Sequence, residues 1–161
     1  LLDSLAIVPE IQRIGGERLV NALDVGAGGG LPGIPLAIAA PYLHVTLIDK
    51  VQKKIAFFIL VKLELALENV TCVHARVETL QASPFELIVA RAFASLAEFV
   101  GLTRHLLAKN GWWCAMKGIL PTAEIDELKR SMPDVRVART VRLQVPHLNA
   151  ERHLVLMHMA R

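Results

Sequence analysis

A chain of 161 residues, 53% hydrophobic and 20% charged, is enough for one domain with one sizeable core, too short for two of average size, and too apolar for an intrinsically disordered chain. The net charge of +3 permits a nucleic-acid partner without establishing one. Residues 25–43 carry no formal charge, yet they hold five Gly and three Pro and so exclude an uninterrupted membrane-spanning helix.

In chain order, residues 2–14 read as an amphipathic helix bent near Pro9, and Gly15-Gly16 separate it from a first strand over residues 19–25. A glycine-rich turn follows, then a short helix over residues 35–40, with Pro35 suited to a first helical turn, and a buried second strand over residues 44–48 ended by Asp49. Residues 51–67 form a long crossover helix in which Val51, Ile55, Phe58, Ile59, Leu63 and Ala66 follow helical spacing, with Lys53, Lys54, Lys62 and Glu64 elsewhere. Strands over residues 70–74 and 87–90 come next, the latter entered through Ser83-Pro84. Ser95-Leu96-Ala97-Glu98 is a capping box opening a helix to about residue 109, where Asn110-Gly111 stops it before a fifth strand over residues 112–116. A helix over residues 123–131 precedes two strands, residues 135–145 and 153–159, joined by a turn containing Pro and Asn and expected to pair antiparallel.

Alternating strands and helices imply an α/β, doubly wound Rossmann-like single domain over residues 1–161, its sheet mainly parallel with an antiparallel C-terminal strand. Such sheets bind ligands beyond the carboxyl ends of their strands. Cys72 and Cys114 lie in apolar, strand-like surroundings without a CxxC spacing and are expected to be free thiols. The opening Leu1-Leu2-Asp3-Ser4 has neither the basic nor the apolar region of a signal peptide, so a cytoplasmic, membrane-free protein is expected. Lacking an initiator Met, the sequence reads as part of a longer chain.

The strongest signal is Asp24-Val25-Gly26-Ala27-Gly28-Gly29-Gly30-Leu31-Pro32-Gly33, between the first strand and its helix, where Gly permits positive φ and close approach of backbone to ligand. Gly28-x-Gly30-x-x-Gly33 also matches the dinucleotide fingerprint, so a nicotinamide or flavin enzyme is an alternative. Against it, Pro32 and Pro35 each remove an amide where a pyrophosphate would need one, whereas S-adenosylmethionine carries no phosphate. The Gly-x-Gly-x-Gly run from Gly26 to Gly30 also starts directly at the strand. Asp49, about twenty residues beyond the loop, is placed to accept hydrogen bonds from both ribose hydroxyls, or else to cap the helix starting at residue 51. Asp24 is expected to support the loop amides or the amino acid end of the donor.

The segments DVGAGGGLPGIPLAI, VTLID with a basic helix start, ARVETL, VARAFASL, MKG and LNAERHLVL, in this order over essentially the whole chain, resemble the RsmG (GidB) family of ribosomal RNA methyltransferases. The resemblance implies a class I S-adenosylmethionine-dependent methyltransferase fold and methylation of guanine N7 in 16S ribosomal RNA of the small subunit. It also implies a donor site at Gly26, Leu31, Val77, Glu78 and Arg91, to which the reading of the glycine loop adds Asp24, Gly28 and Gly30, and that of the second strand's end adds Asp49. Arg91 could instead serve only as a salt-bridge partner for Glu86 or Glu98. The sequence departs from the family in lacking the longer N-terminal helical segment, which leaves open a noncatalytic binding module, and in having Gln52-Lys53-Lys54 where Gly-Lys-Arg is common and Ala90 where Ser is common.

Guanine N7 is a lone-pair nucleophile, so no general base and no catalytic side chain are nominated. RNA phosphates are expected at Lys50, Lys53, Lys54, Arg91, Lys117 and Arg152, with Phe93 a candidate to stack on the target base. The six histidines show no ligand spacing and no metal is expected. A monomer is expected.

Overall fold

Apolar runs rich in Val, Ile and Leu, bounded by turn residues, become the strands of a single sheet. The computed structural model describes residues 1–91, 93 and 95–161. Its strands are β1 (Asn21–Val25), β2 (His44–Asp49), β3 (Val70–His74), β4 (Phe85–Arg91), β5 (Leu107–Lys117), β6 (Val135–Arg142) and β7 (His153–Met159). They lie in the order β3-β2-β1-β4-β5-β7-β6. β1 to β5 are mutually parallel, and β7 runs antiparallel between β5 and β6. The strand order reverses between β1 and β4, so a ligand crevice is expected where their carboxyl ends part.

Alternate residues of each strand face opposite layers. Leu87 and Val89 join the core beneath α1 (Leu2–Leu5), α2 (Val8–Ile14), α3 (Gly33–Ala39) and α4 (Gln52–Glu64), with Ile7, Ile11, Leu36, Leu47 and Phe58. Ile88 and Ala90 join the core beneath α5 (Leu96–Thr103) and α6 (Thr122–Ser131), with Phe99, Trp113, Leu128 and Met157. In that second layer the fully buried Trp113 indole donates to Thr103 Oγ1 at 2.9 Å, and the Thr103 hydroxyl donates to the Phe99 carbonyl at 2.6 Å. Thr103→Val keeps the shape but orphans the buried indole N–H, so it should cost about 1–3 kcal/mol in urea unfolding. A loss below about half a kcal/mol would mean that the indole has found another acceptor.

Several boundaries differ from the sequence expectation. The N-terminal helix is two pieces, with Pro9 inside the first turn of α2, where its missing amide breaks no intrahelical bond. β1 begins at Asn21, and β6 ends at Arg142. α5 ends at Thr103, and after a 3-10 turn over Arg104–Leu106 the chain enters β5 at Leu107. Asn110-Gly111 therefore stops no helix; it lies inside β5 where the register against β4 shifts, Phe85 facing Leu107 and Leu87 facing Trp112. Of the six apolar positions read for α4, only Ile55 and Phe58 are buried, because the helix packs over β2 and β3 at the edge of the sheet and offers them a narrow stripe. Cys72 and Cys114 are free, and burial pushes the Cys114 thiol well above its ordinary range. Among the described residues no helix is long and apolar enough to cross a membrane.

Candidate functional site

The loop after β1 takes a left-handed backbone at every second residue: φ is +64° at Gly26, +56° at Gly28 and +82° at Gly30. That is the Gly-x-Gly-x-Gly register, and side chains rarely tolerate it. The Gly26 amide donates to the Ile48 carbonyl at 3.0 Å, tying the loop to β2. A Cβ built on Gly26 meets nothing within 4 Å, so this residue opens onto free space. Behind the loop, the fully buried Asp24 accepts from the Gly33 amide at 2.7 Å through Oδ2, while Oδ1 has no partner among the described residues. Burial pushes the Asp24 carboxyl up to about 7, against the opposing pull of the Gly33 amide and the Arg91 charge.

A cleft of about 360 Å³ lies beyond the carboxyl ends of β1, β2 and β3. Gly26 forms one wall, Asp49 the polar end, and Ile48, Val77 and Leu102 an apolar lining. Asp49 is nearly buried; its Oδ1 accepts from the Val51 amide at 2.9 Å, and its Oδ2 lies 3.8 Å from Lys54 Nζ. It thus steadies the entry to α4 and still presents a carboxylate to the cleft. Val77 is buried at the start of a 3-10 turn over Val77–Thr79, and Glu78 lies 3.9 Å from Arg76 at the rim. An open glycine, a carboxylate and an apolar wall at three neighbouring strand ends suit an adenosine: hydroxyls toward the acid, base against the aliphatic side chains.

Gly26, Asp49, Val77 and Glu78 therefore meet in one cleft, with Lys50 and Lys54 beside them. Asp24, Gly28, Gly30 and Leu31 shape the loop without lining it, and Lys53 is exposed on α4 outside it. Arg91 opens instead on a neighbouring hollow of about 430 Å³, which it shares with Asp3 and Arg152. Lys117 is turned inward: its Nζ lies 3.0 Å from Glu124 Oε1 and donates to the Phe93 carbonyl at 3.1 Å. That arrangement anchors the segment carrying Phe93, whose ring lines the cleft and packs 5.4 Å from that of Phe99. Ala92 and Ala94 of the RAFASL segment lie outside the described residues. Glu98 and Leu102 also line the cleft, a placement the sequence pattern alone does not indicate. The nearest signal is the capping box, since the Glu98 amide donates to Ser95 Oγ at 3.0 Å and so seats the first turn of α5 against the cleft.

Comparisons with known proteins give the family and the fold. The family model for rRNA small subunit methyltransferase G matches residues 1–155. A ribosomal RNA small subunit methyltransferase G from Leptothrix cholodnii is 49% identical over 157 residues, covering 98% of this chain and 71% of that protein. One from Burkholderia thailandensis is 53% identical over 161 residues, covering 96% and 67% respectively. Among solved structures, a ribosomal protein L11 methylase from Lactobacillus delbrueckii subsp. bulgaricus superposes with a TM-score of 0.73 at 16% identity, covering 99% of this chain and 77% of that one. An S-adenosylmethionine-dependent methyltransferase from Clostridium acetobutylicum does so with a TM-score of 0.74 at 11% identity, covering 99% and 92%. At these identities the superpositions show the fold, a class I methyltransferase sheet with its antiparallel C-terminal strand. The choice that the glycine pattern leaves between dinucleotide and methyl donor falls to S-adenosylmethionine, because this chain belongs to the rRNA small subunit methyltransferase G family.

Proposed function

We propose that the cleft binds S-adenosylmethionine and that the protein methylates N7 of a specific guanine in 16S ribosomal RNA of the small subunit. The observation that carries this reading is the meeting of Gly26, Asp49 and Val77 at three adjacent strand ends around one cleft. Bound there, the donor supplies a methyl group on a positively charged sulfur. Asp49 would accept from the ribose hydroxyls, Val77 and Leu102 would flank the adenine, and the positive-φ glycines would let the backbone approach the rest of the donor. Because N7 attacks through a lone pair, no residue need remove a proton and no metal is required by the chemistry. The protein's main contribution is alignment, for which intramolecular reactions suggest roughly 7–11 kcal/mol. Lys50 and Lys54 at the rim, Lys53 outside it, and Arg91 and Arg152 in the next hollow supply cations for phosphate, whereas Lys117 supports the Phe93 segment. A ribosomal substrate places the protein in the cytoplasm, and we propose that it acts there as a monomer.

Small subunits from a strain lacking this modification, incubated with methyl-labelled donor, should acquire label at N7 of one guanine; label on another atom or on ribosomal protein would refute the proposal. Asp49→Ala should weaken S-adenosylhomocysteine binding about tenfold or more in calorimetry, since hydrogen bonds to a charged group are worth roughly 1.5–3 kcal/mol. Unchanged affinity would leave Asp49 with only its role at the start of α4.

A further inference from the structure

We propose that the outer face of α4 is a self-complementary surface on which two copies of this chain pair through antiparallel helices. α4 packs over β2 and β3, and β3 is an edge strand of the sheet, so the far side of the helix looks outward from the rim of the molecule. That side is apolar: Phe57 is 48% exposed, Ile59 44%, Leu60 61% and Leu63 69%, with the small, exposed Ala56 among them. A surface helix ordinarily turns polar residues outward, and a contiguous apolar face of this kind marks a contact surface.

The charges on this face select the occupant. Lys53, Phe57, Leu60 and Glu64 follow one another at steps of four, three and four residues, so they lie on one line along the helix. A two-fold axis midway between Phe57 and Leu60 turns that line onto its own complement. Phe57 of each copy then meets Leu60 of the other, and Lys53 meets Glu64 at both ends, as a two-fold contact requires. Parallel helices would instead set Lys53 against Lys53. Ala56 leaves room for the helix axes to approach to about 8–10 Å. Within one helix Lys53 and Glu64 stand about 16 Å apart along the axis, too far to pair with each other. Glu64 on the same face would be repelled by an anionic bilayer, which counts against a membrane as the occupant. Leu1 lies beside Arg91 at the end of β4, across β1 from the strands that α4 covers, so residues preceding it in a longer chain enter away from this face.

One helix per copy makes a contact smaller than the roughly 1,200–2,000 Å² of a stable complex, so the dimer is weak and forms as the protein is concentrated. It engages Lys53, one of the cations offered above for phosphate. Pairing and RNA binding therefore exclude each other, and the form that acts on the small subunit is the monomer.

Sedimentation equilibrium of the protein from low micromolar to near-millimolar concentration should show a monomer passing into a dimer. Glu64→Lys sets like charges opposite each other at both ends and should weaken the dimer about tenfold or more. Adding Lys53→Glu restores both pairs in reverse and should return the affinity to within about threefold of the original. Leu60→Asp, at an exposed position, should abolish association and leave the circular dichroism spectrum unchanged. A monomer at every concentration, a dimer that survives Leu60→Asp, or a double variant no better than Glu64→Lys would overturn the proposal. Binding to anionic vesicles in place of self-association would give the face to a membrane and overturn it too. So would loss of the dimer when the chain is extended to the length of its relatives, which would give the face to the added segment.

Discussion

Gly33→Ala should lower stability by about 3 kcal/mol or more and abolish measurable S-adenosylhomocysteine binding, although Gly33 has an ordinary negative φ and lies at the start of a helix. A Cβ there would overlap Leu47 Cδ2 and come within 2.6 Å of Asp24 Oδ2. Leu47 and Asp24 are both fully buried, so neither can swing into solvent to make room. Overpacking alone costs typically about 1–3 kcal/mol. Pushing Asp24 away would also stretch its bond to the Gly33 amide, the one hydrogen bond this buried carboxyl makes among the described residues, and unseat the loop that Asp24 holds from behind. For a domain of this size the loss corresponds to a fall in melting temperature of roughly 10 °C. The control is Gly29→Ala: Gly29 has no positive φ and its Cβ would meet nothing within 4 Å, so stability should change by less than about 0.5 kcal/mol. Thermal unfolding of both variants checks the contrast, and equal behaviour would show that the loop needs its glycines for flexibility rather than for space.

The need for Gly33 marks the limit of what the chain reveals by itself. Gly26, Gly28 and Gly30 were legible because their spacing follows the backbone's own alternation, and each has the positive φ that such a run implies. Gly33 matters because of Leu47 on β2, a contact that no local pattern encodes. The same division explains Arg91: sequence proximity suggested Glu86 or Glu98 as partners, but Glu86 accepts from the Val20 and Asn21 amides, and Glu98 belongs to the neighbouring cleft. The partner it meets is Asp3, eighty-eight positions earlier, which also draws in Arg152. At residues 107–109, helix propensity lost to pairing with β4, a tertiary effect that a window of local residues cannot weigh. On α4, helical spacing identified the helix correctly and its burial poorly, because spacing reports a face and cannot report how much sheet lies beneath it.

Asp24 should make the protein lose stability as the solution turns from acid to neutral, the reverse of what a paired carboxylate does. Its carboxyl is raised from 3.8 to about 7, chiefly by burial. Between those two values the folded chain keeps a proton that the unfolded chain has released, so stability falls with each unit of rising pH and levels off above about 7. The full change attributable to this group is about 4 kcal/mol as an order of magnitude. A typical carboxylate bound to a cation contributes in the opposite sense, gaining stability as pH rises. Asp24→Asn removes the titration and keeps an acceptor for the Gly33 amide, at the cost of an amide N–H facing the position of the unpartnered Oδ1. Urea unfolding of both proteins at pH 5 and pH 8 isolates the effect, since every other titrating group is common to the two. The wild type should lose about 2.5–3 kcal/mol more than the variant between those conditions. Parallel pH dependence in the two proteins would mean that Asp24 is already ionised at pH 5, with its second oxygen satisfied by solvent or by a neighbour in the loop.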